Sequence, residues 1–456
     1  MKQLLCLGLA ILACSNPAMA ASVTIGPDEL RVKLLEGNTE VLTALNQVVQ
    51  AKDKLNSDRA ALLPGANLNV LLGSSGSSFV VSAISVLVPF LLPSNWFNLD
   101  AGTHLLNAQA DSYYVTALNA YASAYALYET IVADTEARAT AESQFEALNQ
   151  LKGQLQQQSA LFDNVSPQDL ANAVNQANLA ELKVLQLDEL LGKEKANLKQ
   201  ALNIDINTDI QIALNHVDPA PLELETNLKV ILDKAITLAP EANQLNELIA
   251  ASGDESWSEV FSFLNAAALA PSSSNSGVSL SKLNFGAQLN LGFGTFPQLQ
   301  LTNDSKAATV LLQQSLTEQL QNVVESSVSA ITQARHQLDV ANDTQKGLSD
   351  LYQSEVQSYN LGLTDLLHVL SASESLASAG NTQIAAQRDL DSLRINLHRI
   401  LLSGAFAAVK PCQIRKVQNS TGGGLFSWLT DIFAGDKNHV SIDQACNPNY
   451  AAKEKK

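Results

Sequence analysis

The residues of this 456-residue chain that could do chemistry are six histidines, four cysteines and 45 carboxylates. The histidines are His104, His216, His336, His368, His398 and His439; they fall into no metal-ligand spacing, and no HExxH occurs. There is no GxxxxGK phosphate loop, and no serine or cysteine sits in a recognisable nucleophile setting. No cofactor and no metal are implied, and an enzyme is the disfavoured class. What remains is a set of polar side chains at two chain turns. Asp169 and Asn172 follow one; Tyr359, Thr364, Asp365, His368 and Ser371 flank the other. Taken alone, Asp169 reads as an acid at a helix start, and His368 as a group that changes charge near physiological pH.

The charge balance narrows the class. Forty-five acidic against 28 basic residues give a net −17, which argues against a nucleic-acid partner, since that needs a basic patch. Met1-Lys2, the apolar run Leu4 to Ala13 and the small residues of Ala18-Met19-Ala20 predict a secretory signal over 1–20, cleaved after Ala20. Lipoprotein processing at Cys14 is the competing reading, which Leu12 fits poorly. After cleavage no stretch offers the ~20 apolar residues of a spanning helix. Cys412 and Cys446 are then the remaining cysteines, and in an oxidising compartment they can pair.

The elements that must position the turn residues repeat. Asn197-Leu198 with Leu202 recurs as Asn396-Leu397 with Leu401, 199 residues on, and Glu40 and Glu241 each open a helical stretch. The repeats run over about 28–202 and 225–403. Each holds a helix, a strand-like hairpin, a very long helix, a tight turn and a further helix. The boundaries are a first helical segment at 21–63, a hairpin at 64–95 and long helices at 96–202. A linker or strand at 203–224 follows. The second repeat has a helical segment at 225–255, a hairpin at 256–298 and long helices at 299–404. A tail occupies 405–456.

Residues 28–62 read as one helix, and 98–160 and 301–359 lack proline. In the latter, Leu348, Tyr352, Val356 and Tyr359 form a helical stripe. A helix of ~60 residues reaches ~90 Å, which suggests a coiled-coil-like assembly. The wet faces carry neutral amides and hydroxyls more than charge. That suits the wall of a water-filled conduit and equally a soluble bundle of low charge. Ser166 can cap one helix with Pro167 at its first position, Gly362 can end another, and Thr364 can cap the next.

Leu283, Phe285, Ala287, Leu289, Leu291 and Phe293 alternate with polar or small residues. The pattern fits a transmembrane barrel strand, and also a half-buried strand of a soluble sheet. Four strands per chain cannot close a barrel, because the smallest transmembrane barrels need ~8, so membranous hairpins require an oligomer. In the tail, Leu425, Phe426, Leu429, Ile432 and Phe433 share a helical face.

The segments NTEVLTALNQVVQAKDKLNSDRAALLPGANLNV, YNLGLTDLLHVLSASESLASA and RDLDSLRINLHRIL, in this order behind a signal peptide, resemble the TolC-type outer membrane efflux and secretion channels over about 25–404. The resemblance implies a mainly α protein with membrane β structure. It would be a homotrimer whose protomers each give four strands to one 12-stranded barrel and long helices to one periplasmic α-barrel. Ile204, Ile206, Ile210 and Ile212 would form a strand of an equatorial belt. Partners would be a periplasmic adaptor, an inner-membrane transporter and outer membrane lipid, with passive passage of substrates and no catalysis. The resemblance places Asp169, Asn172, Tyr359, Thr364, Asp365, His368 and Ser371 at the periplasmic mouth. The best-known members carry aspartates where this chain has His368 and Ser371, and an arginine at Thr364. The mouth is therefore expected to be pH-sensitive; alternatively His368 packs sideways between helices. The function of another class that fits is a soluble periplasmic or surface helical-bundle adhesin or adaptor.

Overall fold

The structure, a computed structural model, describes residues 22–61, 93–162, 166–217, 227–251, 305–413 and 442–447. The signal segment, the alternating run 283–293 and the apolar tail face at 425–433 lie outside these residues. So do the expected hairpins, except that 93–95 already belong to a helix.

Helices dominate. In chain order they are α1 (Pro27–Gly37), α2 (Thr39–Ala61), α3 (Pro93–Phe162), α4 (Pro167–Ala201), α5 (Leu228–Leu238), α6 (Pro240–Ala251), α7 (Ser305–Asn360), α8 (Leu366–Leu401) and α9 (Ile442–Cys446). At 70 and 56 residues, α3 and α7 extend roughly 105 and 84 Å.

Two expected helices are broken. The single helix read over 28–62 divides at Asn38, whose Oδ1 accepts the backbone N–H groups of Glu40 and Val41 at 3.0 and 3.1 Å and so caps α2. Its Nδ2 donates to the Ala201 carbonyl at 2.9 Å, tying the break to the end of α4. Gly37 permits this approach, since a Cβ there would lie 2.6 Å from the Leu202 carbonyl oxygen. The second break falls at Ala239, held at φ −58°, ψ 111°. Pro240 supplies no amide hydrogen and drives the residue before it out of the helical region.

The long helices pair lengthwise, α3 with α4 and α7 with α8, and α3 also packs on α2, α6 and α8. Along α4 the covered positions are Ala173, Ala177, Ala180, Val184, Leu187, Leu191, Glu194 and Leu198. They step alternately by four and three, the spacing of a coiled-coil seam. Small residues let the axes approach: a Cβ on Gly380 of α8 would touch Thr140 of α3 at 3.3 Å.

The main core lies midway along α3, where three non-helical segments gather. Strand β1 (Ser22–Ile25) runs parallel to β2 (Asp209–Ile212), with Val23 opposite Ile210. The isoleucine strand expected from Ile204 is therefore shorter. Only Ile210 and Ile212 lie in it, because Asn203 is left-handed at φ 51° and a hydrogen-bonded turn, Thr208 N–H to Asp205 carbonyl, intervenes. Ile206 is left on the surface. A 3-10 turn (Gly404–Ala408) brings Phe406 onto Tyr121, 4.9 Å between ring centres. Cys412 and Cys446 are joined by a disulfide, and the Gln413 N–H donates to the Ala445 carbonyl at 3.0 Å.

Candidate functional site

The residues singled out in the sequence cluster at one end of the helix bundle. Helix α4 begins at Pro167, and the Ser166 hydroxyl accepts the Gln168 N–H at 3.2 Å. The other turn ends α7 with two backbone bonds, Gly362 N–H to Tyr359 carbonyl and Leu363 N–H to Ser358 carbonyl, both 2.9 Å. Gly362 takes φ +70°, which closes this double-bonded helix end without strain. The next helix is not capped by Thr364. It starts at Leu366, so the residue before it is Asp365, whose carboxylate accepts the His368 N–H at 3.2 Å. Thr364 is one position too early to reach the free amides of the first turn.

One apolar cluster holds both turns side by side: Leu148 and Leu155 of α3, Ala173 and Ala177 of α4, and Leu366 and Leu370 of α8, with Tyr359 packed against them. Tyr359 and Asp169 thereby come within electrostatic reach. Burial pushes the Tyr359 hydroxyl pKa up, and the Asp169 carboxylate adds to the shift. Asn172 lies half-buried one turn along α4. His368 is not packed sideways within this chain: its side chain is 63% exposed, with Nε2 3.7 Å from the Asp365 carboxylate. Ser371 is exposed one turn further. The two turns thus offer two acids (Asp169, Asp365), one imidazole (His368), a phenol (Tyr359) and three small polar side chains (Asn172, Thr364, Ser371). Beside them Leu361, Leu363 and Leu367 are 74%, 76% and 64% exposed.

Sequence reasoning missed the row that anchors the middle of the molecule. Tyr114, Tyr121 and Tyr128 recur every seven residues on α3. Their hydroxyls donate to the carbonyls of Val409 (3.2 Å), Pro27 (3.1 Å) and Ala213. One helix face thus holds the start of α1, the segment after β2 and the segment after the 3-10 turn. The heptad spacing was readable; the acceptors, far away in sequence, were not.

No known family profile and no curated protein matches this sequence. Solved structures match along most of its length. The outer-membrane channel OprN superposes with a TM-score of 0.55 at 15% identity, over 83% of this chain and 90% of OprN. The CmeC outer membrane channel of Campylobacter jejuni gives 0.54 at 13% identity, over 82% and 85%. The open state of the MtrE outer membrane channel of Neisseria gonorrhoeae gives 0.52 at 14% identity, over 83% and 89%.

Proposed function

We propose, from the TolC-type channel fold that this chain adopts, that it is the outer membrane channel subunit of a tripartite efflux pump or type I secretion system. The observation that carries the reading is the match to such channels over more than four-fifths of the chain. Three copies would enclose a periplasmic α-barrel, and the expected hairpins at 64–92 and 256–298 would together supply four strands per copy to a shared 12-stranded barrel. No described helix is long and apolar enough to cross a membrane, so on this reading the crossing falls to those strands. The duplication of the chain over about 28–202 and 225–403 belongs to the same reading, supported by the α4 and α8 starts at Pro167 and Leu366.

Surfaces of the single chain support the assembly. Leu179, Leu182 and Leu185 on α4 and Val340 and Leu351 on α7 are exposed. Each of these half-exposed leucines that a neighbouring copy covers would gain about 1 kcal/mol. The leucines at the α7–α8 turn suit contact with a periplasmic adaptor, which in turn would meet an inner-membrane transporter. Substrates would pass through passively, with Asp169, Tyr359, Asp365 and His368 around the mouth.

The deciding measurement is the mass of the protein extracted from outer membranes in mild detergent. A trimer that conducts ions in a planar bilayer is expected. A monomer recovered without detergent overturns the reading and leaves a helical-bundle adhesin or adaptor. At the mouth, His368→Asp would add a carboxylate beside Asp365 and should raise cation selectivity in the bilayer; unchanged selectivity would take His368 away from the conducting path.

A further inference from the structure

Away from the mouth, four ionisable side chains from three segments meet midway along the bundle. Glu129 and Glu136 stand two turns apart on α3, Asp391 lies on α8, and His216 lies in the segment that leaves β2. The Nδ1 of His216 is 3.1 Å from Asp391 Oδ2 and 3.7 Å from Glu129 Oε2. Its Nε2 is 3.1 Å from Glu136 Oε1. Glu129 is 2% exposed and Asp391 fully buried. Asp391 is braced from its own helix by Gln387 Nε2 at 2.8 Å and Arg394 Nη1 at 3.3 Å. Glu129 Oε1, by contrast, is buried and has no hydrogen-bond partner.

This arrangement is short of positive charge at one point. If Nε2 donates its proton to Glu136, Nδ1 turns a lone pair toward two carboxylates, and three acceptors face one another. The ligand atoms of Glu129, His216 and Asp391 all lie within 4.8 Å of one another. A zinc ion with bonds of about 2.0–2.2 Å in tetrahedral geometry has ligand atoms roughly 3.3–3.6 Å apart. The two measured separations of 3.1 and 3.7 Å bracket that spacing. Glu136 stands where a metal-bound histidine places the carboxylate that fixes its tautomer. His216 is 36% exposed, which gives a metal a route in and leaves a fourth position for water.

We propose that Glu129, His216 and Asp391 bind a zinc ion, with Glu136 orienting the histidine, and that the metal clamps the segment after β2 to helices α3 and α8. The set of one imidazole and two carboxylates suits zinc, the imidazole setting it apart from the all-oxygen sites of calcium and magnesium. The site lies within one chain and does not depend on the channel reading.

The test uses the full chain in mild detergent, stripped with a chelator and titrated with zinc alone, with cobalt as a spectroscopic stand-in. One zinc per chain is expected, with the visible band of a four-coordinate cobalt site. Partners of a metal-bound histidine are worth roughly 10- to 100-fold in affinity. Glu136→Gln should weaken zinc by about that factor, and His216→Ala by more. His104→Ala and His368→Ala, which alter histidines elsewhere, should leave it unchanged. His216→Ala changes a partly exposed side chain outside any helix, so circular dichroism should report an intact fold. Wild-type protein that takes up no zinc at micromolar free metal overturns the proposal. So does a folded His216→Ala chain with unchanged zinc affinity and cobalt spectrum.

Discussion

Glu194 occupies a seam position of α4 that a hydrophobic residue would ordinarily fill. Its carboxyl is buried and hydrogen-bonded to Asp134 of α3. Burial first, then the Asp134 charge and the hydrogen bond to it, push Glu194 from 4.5 to about 8. A carboxyl with a raised native pKa stabilises the fold most below its unfolded value, and that contribution is lost as pH rises through the native value. The window here runs from 4.5 to about 8. Glu194→Gln keeps a neutral hydrogen-bonding side chain throughout. Its melting temperature should match the wild type near pH 4.5 and exceed it increasingly toward pH 8. A difference independent of pH would show that Glu194 does not carry the proton. The buried ion pair between Arg399 of α8 and Glu241 at the start of α6 poses the opposite case. Arg399 also donates to Asn119 of α3 at 3.0 Å, so it bridges three helices. Arg399→Leu leaves Glu241 charged and unpaired, and breaking such a pair costs about 3–5 kcal/mol. Double replacement of Arg399 and Glu241 by leucine and glutamine should recover part of that loss in thermal unfolding.

Two glycines inside or beside helices separate close approach from mere tolerance. At Gly37 an added methyl would press on the Leu202 carbonyl at 2.6 Å, against a junction already fixed by Asn38. Gly37→Ala should cost about 1–3 kcal/mol through overpacking. Gly153, deep in α3, has open space within 4 Å of where an alanine methyl would stand; Gly153→Ala should gain about 0.5–1 kcal/mol through helix propensity. Equal effects in the two melts would refute this contrast. These local rules also explain what the sequence did and did not reveal. The absence of proline announced α3 and α7, and Ser166-Pro167 and Gly362 announced their turns, because those signals act within one turn of chain. The choice of Asp365 over Thr364 as cap depended on a helix start one residue later than expected. The break at Asn38 required a partner in Ala201, and the short β2 required β1 to pair with. The gathering of Glu129, His216 and Asp391 was invisible, since metal-ligand spacing can be read only where the ligands are near in sequence. The mouth residues came from resemblance, and the packing of Tyr359 near Asp169 needed both turns placed by the cluster around Leu155 and Leu366.

At the scale of the molecule, a single chain leaves its long helices half-covered. The seam of α4 faces α3, while Leu179, Leu182 and Leu185 point away from it, with Leu182 53% exposed. Such a row of exposed leucines is poorly matched to water, and α7 offers Val340 and Leu351 in the same condition. In the proposed ring of copies both faces would be covered at once, because the free side of α4 on one copy would meet the free side of α7 on the next. Heterologous contacts of this kind close only at the right rotation, so the row should control oligomer size rather than folding of the chain. Leu182→Asp combined with Leu185→Asp places two charges in the expected contact while leaving the α3–α4 seam intact. If the proposed trimer closes through this row, the expected product is a folded monomer in mild detergent, with helix content unchanged by circular dichroism and one-third of the trimer's mass by light scattering. Leu187→Asp, in the seam itself, should instead lower helix content, because that side chain is buried within the chain. If the doubly charged variant stays trimeric, the α4 row does not form the contact between copies, and the ring must close through another face.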